Sequence, residues 1–109
     1  MEIPAGKLDG AESAAACGRR ELIEETGFSA RQLRPLIDYW PTPAFANEIL
    51  HLFVAKGLSP GAHKRDLDEF LEIEIMPFKK ALSLVRLGRI RDSKTVIGIL
   101  ACALWRSGR

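Results

Sequence analysis

The stretch Gly18-Arg19-Arg20-Glu21-Leu22-Ile23-Glu24-Glu25-Thr26-Gly27-Phe28 crowds three carboxylates beside a guanidinium and then reaches a glycine. On a helix, positions i, i+3 and i+4 are neighbours, so Glu21, Glu24 and Glu25 share one face, with Arg20 four residues before Glu24. Like charges this close repel, and a face shaped only for solubility would interleave lysines. None lies between Glu21 and Glu25. Clustered carboxylate oxygens suit a hard divalent cation such as Mg²⁺ or Mn²⁺, whose charge would offset the repulsion. From this cluster alone, a solvated acidic face and a cation site both stand.

The elements around the cluster must position it. Residues from Ala11 to about Thr26 are good helix formers, and Gly27 sits where a helix terminates. Ahead of that helix, MEIPAGKLDG begins strand-like and becomes a loop, with Gly6 and Gly10 suited to backbone angles that other residues resist. LRPLIDYW is a short strand candidate, PTPAFANE a loop, and ILHLFVA is apolar on both faces, as a buried central strand would be. FLEIEIM alternates, which places Leu71, Ile73 and Ile75 inward and Glu72 and Glu74 outward. Two helices close the chain: Pro77 to Leu87, ended by Gly88, and about Ser93 to Arg106, with Val96, Ile97, Leu100, Ala101 and Leu104 on one face. Repeats, low-complexity segments and linkers are absent from the sequence.

At 109 residues the chain is one domain, residues 1–109, and buries about two-thirds of its surface on folding. With 47% hydrophobic and 28% charged residues it is a globular sequence rather than a disordered one. A net charge of +2 is too small to argue for a nucleic-acid partner. Basic residues do gather late, at Lys79, Lys80, Arg86, Arg89, Arg91, Lys94, Arg106 and Arg109 against Asp92, but without the aromatic interleaving that stacks bases. The expectation there is a solvated basic face. No stretch approaches the roughly 20 apolar residues of a membrane span, and the start lacks a secretory signal pattern, so a cytoplasmic protein is expected. Cys17 and Cys102 are isolated among alanines and read as small buried thiols. His51 and His63 are also isolated, and neither is expected to be a ligand or general base.

Wider spacing decides between the two readings of the carboxylates. Gly6, five residues, Glu12, seven residues, then Arg20 to Phe28 fits Gx5Ex7REUxEExGU, with U apolar, at every fixed position. A match at these nine positions arises by chance at roughly one starting point in 10⁹. The stretch from Gly6 to Phe28 is the Nudix box, and the chain resembles the Nudix hydrolase superfamily. The fold this implies is an α/β/α sandwich with a mixed sheet.

The resemblance implies a metal-dependent pyrophosphatase acting on a nucleoside diphosphate linked to another group X. Glu21 and Glu25 would be the main Mg²⁺ ligands, with Glu24 completing the cluster directly or through water and Ala5 adding a backbone carbonyl. Arg20 would position the glutamates by ion pairing, and Glu12 would hold the loop against the helix. Within the superfamily, EIPAGKLD, YWPTPAFANEILHLFVAKGL and GRIRDSKTVIGIL resemble ADP-ribose pyrophosphatases. In that group a proline falls sixteen residues beyond the last glycine of the box, and Pro43 is at that position. It would stiffen, with Pro41, a loop that shapes the nucleotide pocket. Ala44 is a departure, since relatives often carry glycine there. The general base would come from the acidic loop HKRDLDEFLE, where Glu69 aligns best and Asp66 and Asp68 are rivals; Glu48 would lie near the metals or the terminal ribose.

ADP-ribose pyrophosphatases have an amino-terminal portion before EIPAGK that supplies strands, dimer contacts and adenine-binding groups. Met1 here falls on the strand entering the box, so the expectation is a domain incomplete at its amino terminus, with an exposed apolar surface that favours a homodimer. The expected substrate is ADP-ribose, cleaved to AMP and ribose 5-phosphate, with another nucleotide sugar or a nucleoside triphosphate as the alternative. A catalytically impaired fragment acting as a binding module is the remaining reading.

Overall fold

The computed structural model describes residues 1–6, 12–42, 48–60 and 73–107. In chain order the elements are α1 (Ala14–Thr26), β1 (Phe28–Tyr39), β2 (Leu50–Pro60), α2 (Phe78–Arg86) and α3 (Ser93–Arg106). The two strands pair with each other in one sheet. His51 meets Asp38, and Gly57 meets Arg31, so one strand rises as the other falls and the pairing is antiparallel. The chain is thus α/β as expected, with a sheet of two strands among the described residues. It divides into two compact units, one made from Met1–Ile3, Pro35–Leu52 and Ile75–Arg109, the other from Pro4–Arg34 and Phe53–Glu74.

The second of these units contains α1. Ser13 caps the helix, its Oγ accepting the Ala16 N–H at 3.1 Å, which satisfies one of the orphan donors of the first turn. Ala11 lies outside the described residues, and the helix begins later than propensity suggests because Ser13 takes the capping position. At the other end Gly27 adopts φ 78°, a conformation that a side chain resists, and its N–H closes on the Ile23 carbonyl at 2.8 Å. The turn into β1 is fixed further by Thr26 Oγ1, which donates to the Leu22 carbonyl and accepts the Phe28 N–H. Gly18 lets α1 approach the sheet, because a Cβ there would lie 3.1 Å from Leu33 and 3.5 Å from Phe53.

The first unit holds α2 and α3, which pack on each other. Gly98 of α3 faces Ile3 and Leu52, which a Cβ at that position would meet at ordinary van der Waals distance. Asp92 caps α3, its Oδ2 accepting the Thr95 N–H at 3.1 Å. Arg106, one of the late basic residues, stacks over the Phe78 ring at 4.4 Å rather than extending as a free cation.

Three sequence expectations are corrected. Residues Ile73–Met76, the described part of the FLEIEIM strand, are irregular, and Ile75 is 84% exposed instead of inward. Alternation specifies an inward face only where a neighbouring strand supplies the backbone hydrogen bonds. β2 is not buried on both faces; within it only Leu52 is buried, since the sheet has one partner strand among the described residues. In α3 the buried positions are Thr95 and Gly98, while Leu100 and Leu104 of the expected apolar face are exposed. Gly98 is the α3 position that faces Ile3 and Leu52, whereas Leu100 and Leu104 do not have that cover.

Candidate functional site

The site is built from the loop residues Ala5 and Gly6 and from one face of α1. Its centre is Arg20, half-buried, which reaches acidic groups on two sides. Arg20 Nε donates to Glu12 Oε2 at 3.0 Å and Nη2 to Glu12 Oε1 at 3.1 Å, a bidentate pair. Nη1 donates to Glu21 Oε1 at 2.8 Å and, one turn on, to Glu24 Oε2 at 3.3 Å. One cation therefore offsets the repulsion among carboxylates and sets their rotamers. Glu12 and Glu21 are mostly buried by this arrangement and Glu24 is half exposed.

The loop meets the same helix face. Ala5 N–H donates to Glu25 Oε2 at 2.9 Å. At the next residue, a Cβ on Gly6 would run into the Glu21 carboxylate, so a side chain there would push Glu21 from its place beside Arg20. Arg19, pointing away from the acidic face, ties α1 to the start of β1 through the Ala30 carbonyl at 2.6 Å. Cys17 is 6% exposed, as expected of a small buried thiol, and accepts a long hydrogen bond from Arg20 Nη2 at 3.7 Å. Burial pushes its thiol pKa up, and the Glu12 carboxylate adds to the shift.

The structure thus brings Glu12, Arg20, Glu21 and Glu24 together through ion pairs, and Ala5 together with Glu25 through a hydrogen bond. Among the described residues no three Asp, Glu, His or Cys groups converge into a preformed cation cage. The donor chemistry nonetheless fits a hard divalent ion: three carboxylates project from adjacent positions of one helix, and the glycine cradle admits a loop backbone against Glu21. Glu48 is exposed in the chain leading to β2. Pro43, Glu69 and its rivals Asp66 and Asp68 lie outside the described residues, as does His63.

Two polar clusters escaped the sequence reading. His51 Nδ1 lies 2.9 Å from Asp38 Oδ1, a cross-strand pair whose signal is the register of β1 on β2. Thr95 is 2% exposed and engages Asp92 and Ile3. Its signal was the Asp92-Ser93-Lys94-Thr95 run, in which a capping residue precedes a hydroxyl by three positions.

Residues 1–96 match the NUDIX domain. The methanol dehydrogenase activator of Bacillus methanolicus is 46% identical over 101 residues, covering 91% of this chain and 55% of that protein. The ADP-ribose pyrophosphatase of Bacillus subtilis (strain 168) is 42% identical over 101 residues, with the same coverage. A GDP-mannose pyrophosphatase of Salmonella typhi is 36% identical over 104 residues, covering 89% of this chain and 52% of that protein. Among solved structures, one described as an ADP compounds hydrolase superposes with a TM-score of 0.81 at 26% identity, covering 93% of this chain and 55% of its own. The chain therefore spans about half the length of the curated relatives it matches.

Proposed function

This chain belongs to the NUDIX family, and from that premise we propose that it hydrolyses the diphosphate bond of a nucleoside diphosphate linked to a group X. ADP-ribose is the substrate favoured by the resemblance to the Bacillus subtilis pyrophosphatase, with AMP and ribose 5-phosphate as products. The observation that carries the reading is Arg20, whose guanidinium organises Glu12, Glu21 and Glu24 at the box positions. Mg²⁺ or Mn²⁺ would be held by Glu21, Glu24 and Glu25 with the Ala5 carbonyl. When bound, the ion supplies charge neutralisation of the diphosphate and a lowered pKa for the attacking water.

The protein's own groups do the rest. Arg20 holds the Glu21 and Glu24 carboxylates in fixed positions, from which they would hold the cation, and as a guanidinium it keeps its charge. Glu12 fixes Arg20, so the acidic face does not have to reorganise when substrate arrives. Glu69 accepts the proton of the attacking water, with Asp66 and Asp68 as the other carboxylates able to take that role. Pro43 is assigned to the loop that would shape the nucleotide pocket, and Glu48 to a place near the metal site or the terminal ribose. A homodimer in the cytoplasm completes the proposal; exposed Trp40, Ile75 and Leu104 support the first part. Among the described residues no helix is long and apolar enough to cross a membrane.

A second reading keeps the chemistry and changes X: the likeness to a GDP-mannose pyrophosphatase favours a nucleotide sugar. The experiment is release of nucleoside monophosphate from ADP-ribose and from GDP-mannose, with and without Mg²⁺, for the chain and its Glu25→Gln variant. Hydrolysis of ADP-ribose that requires both Mg²⁺ and Glu25 is expected. Preferential cleavage of GDP-mannose would select the second reading, and metal binding without turnover of either would leave a binding module.

A further inference from the structure

We propose that the cleft between the start of β1 and the end of β2 is a binding site for a phosphate dianion, free or carried by a small sugar, held by the Arg31 guanidinium with the hydroxyls of Ser29 and Ser59. All of its residues belong to the unit made from Pro4–Arg34 and Phe53–Glu74. None lies in the box stretch from Gly6 to Phe28, so the site stands whether or not the chain hydrolyses a diphosphate.

The cleft is open, has a volume of about 410 Å³, and is lined by Ser29, Ala30, Arg31, Gly57, Leu58 and Ser59. None of the six is acidic, so an anion that enters meets a positive charge with no lining carboxylate set against it. The other guanidinium groups near α1 are committed to the protein: Arg19 to the Ala30 carbonyl, Arg20 to Glu12, Glu21 and Glu24. Among the described residues, the Arg31 guanidinium has no hydrogen-bond or ion-pair partner, and neither do the hydroxyls of Ser29 and Ser59. Three donors at one cleft are thus left for a ligand.

Gly57 is what keeps Arg31 at the cleft. Glycine weakens a strand interior, and its presence there marks a bulge or a close approach. Gly57 has φ 67°, and a Cβ on it would lie 2.8 Å from Arg31 Cβ and 3.3 Å from Arg31 Nε. The Arg31 side chain therefore lies along Gly57, across the strand pair, rather than reaching straight into solvent. Any side chain at 57 would be strained and would displace Arg31 at its Cβ, which cannot swing aside as a chain end can. A guanidinium fork takes two phosphate oxygens side by side, and hydroxyls lining the same cleft can donate to the others. A carboxylate has only two oxygens and would occupy the fork alone. Leu58, half exposed, adds an apolar wall for the carbon face of a sugar.

Titration of the full chain with inorganic phosphate in EDTA, followed by amide NMR, tests this, with sodium chloride at matched ionic strength and acetate as controls. EDTA keeps divalent cations, and any phosphate they would hold, off the acidic face of α1. Saturable shifts at the Arg31, Gly57 and Ser59 amides are expected, with a midpoint on the order of 1 mM, the range that one charge-assisted pair and two hydrogen bonds support. Arg31→Gln should raise that midpoint about tenfold or more and Ser59→Ala about fivefold, while amides outside the cleft keep their positions. Shifts that chloride reproduces, that do not saturate, or that survive in Arg31→Gln overturn the proposal, and acetate binding as tightly as phosphate overturns the choice of ligand. If Arg31→Gln does not fold, Ser59→Ala decides, and an unchanged midpoint there overturns the site. Ribose 5-phosphate separates the two sources: tighter binding than inorganic phosphate assigns the cleft to a sugar phosphate, equal or weaker binding to the free ion. A chain that turns over no diphosphate would give the same shifts, so failure of the hydrolase reading and failure of this site are read separately.

Discussion

Arg20 meets Glu12 with two nitrogens and reaches Glu21 and Glu24 with a third, which a lysine at that position has no geometry to reproduce. An ammonium is a point charge, so Arg20→Lys would preserve the sign of the site and lose its order. We expect that variant to lower kcat on ADP-ribose by about ten- to a hundredfold, the usual cost of losing a group that orients metal ligands. Steady-state kinetics with a Mg²⁺ titration checks it; an unchanged kcat would mean that the carboxylates orient themselves. The Arg20–Glu12 coupling, read from a double-mutant cycle with Glu12→Gln, should be about 1 kcal/mol, because both side chains retain some exposure and solvent screens the pair. These residues were legible from sequence because the box fixes them by spacing along one helix and its leading loop. Asp38–His51 and Thr95–Ile3 were not, because each pair forms between segments whose register the local sequence leaves open.

At the level of elements, α3 offers the sharper test. Asp92 caps its amino terminus with a pKa lowered chiefly by the Thr95 hydroxyl, and its contribution to stability is full above the unfolded carboxylate pKa. That contribution fades as pH falls through the lower, folded value. Lys94 has a raised pKa: desolvation works against the charge, but the hydrogen bonds and charges of Glu2 and Asp92 outweigh it. Its contribution is full below the unfolded lysine pKa and is lost as pH rises through the folded one. Thermal midpoints measured across pH should therefore form a plateau with losses at both ends. Asp92→Ala should remove the part of the acid loss due to this group and cost about 1 kcal/mol on the plateau, the usual size of a lost N-cap; an unaltered acid limb would count against the assignment. The extents of α1 and α3 were close to what the sequence implied, since Ser13, Gly27 and Asp92 are local stop signals. The FLEIEIM strand was misread in its described part because strand formation depends on a partner that alternation does not specify. The stripe of α3 differs for a related reason: spacing puts Leu100 and Leu104 on an apolar face, but the face that meets Ile3 and Leu52 is the one carrying Gly98.

For the whole molecule, the balance of buried and exposed apolar groups sets the behaviour in solution. Among the described residues the buried hydrophobic side chains are Cys17, Leu52 and Ile90, whereas Trp40, Ile75, Leu87 and Leu104 are each more than half exposed. Covering a large apolar side chain contributes about 2 kcal/mol, so burying these residues between two copies would stabilise the proposed homodimer. Association stabilises whichever state associates, and a folded dimer makes the thermal midpoint rise with protein concentration. We therefore expect sedimentation at micromolar concentration to show a dimer, and the midpoint to climb as the chain is concentrated. Trp40→Ser and Leu104→Ser remove exposed apolar area without touching the acidic face of α1, so whichever residue lies in the contact will, when replaced, shift the equilibrium toward monomer. A well-folded monomer whose midpoint is independent of concentration would show that these side chains are tolerated in water, and the homodimer would have to be given up while the chemistry assigned to Arg20 and its glutamates stood untouched.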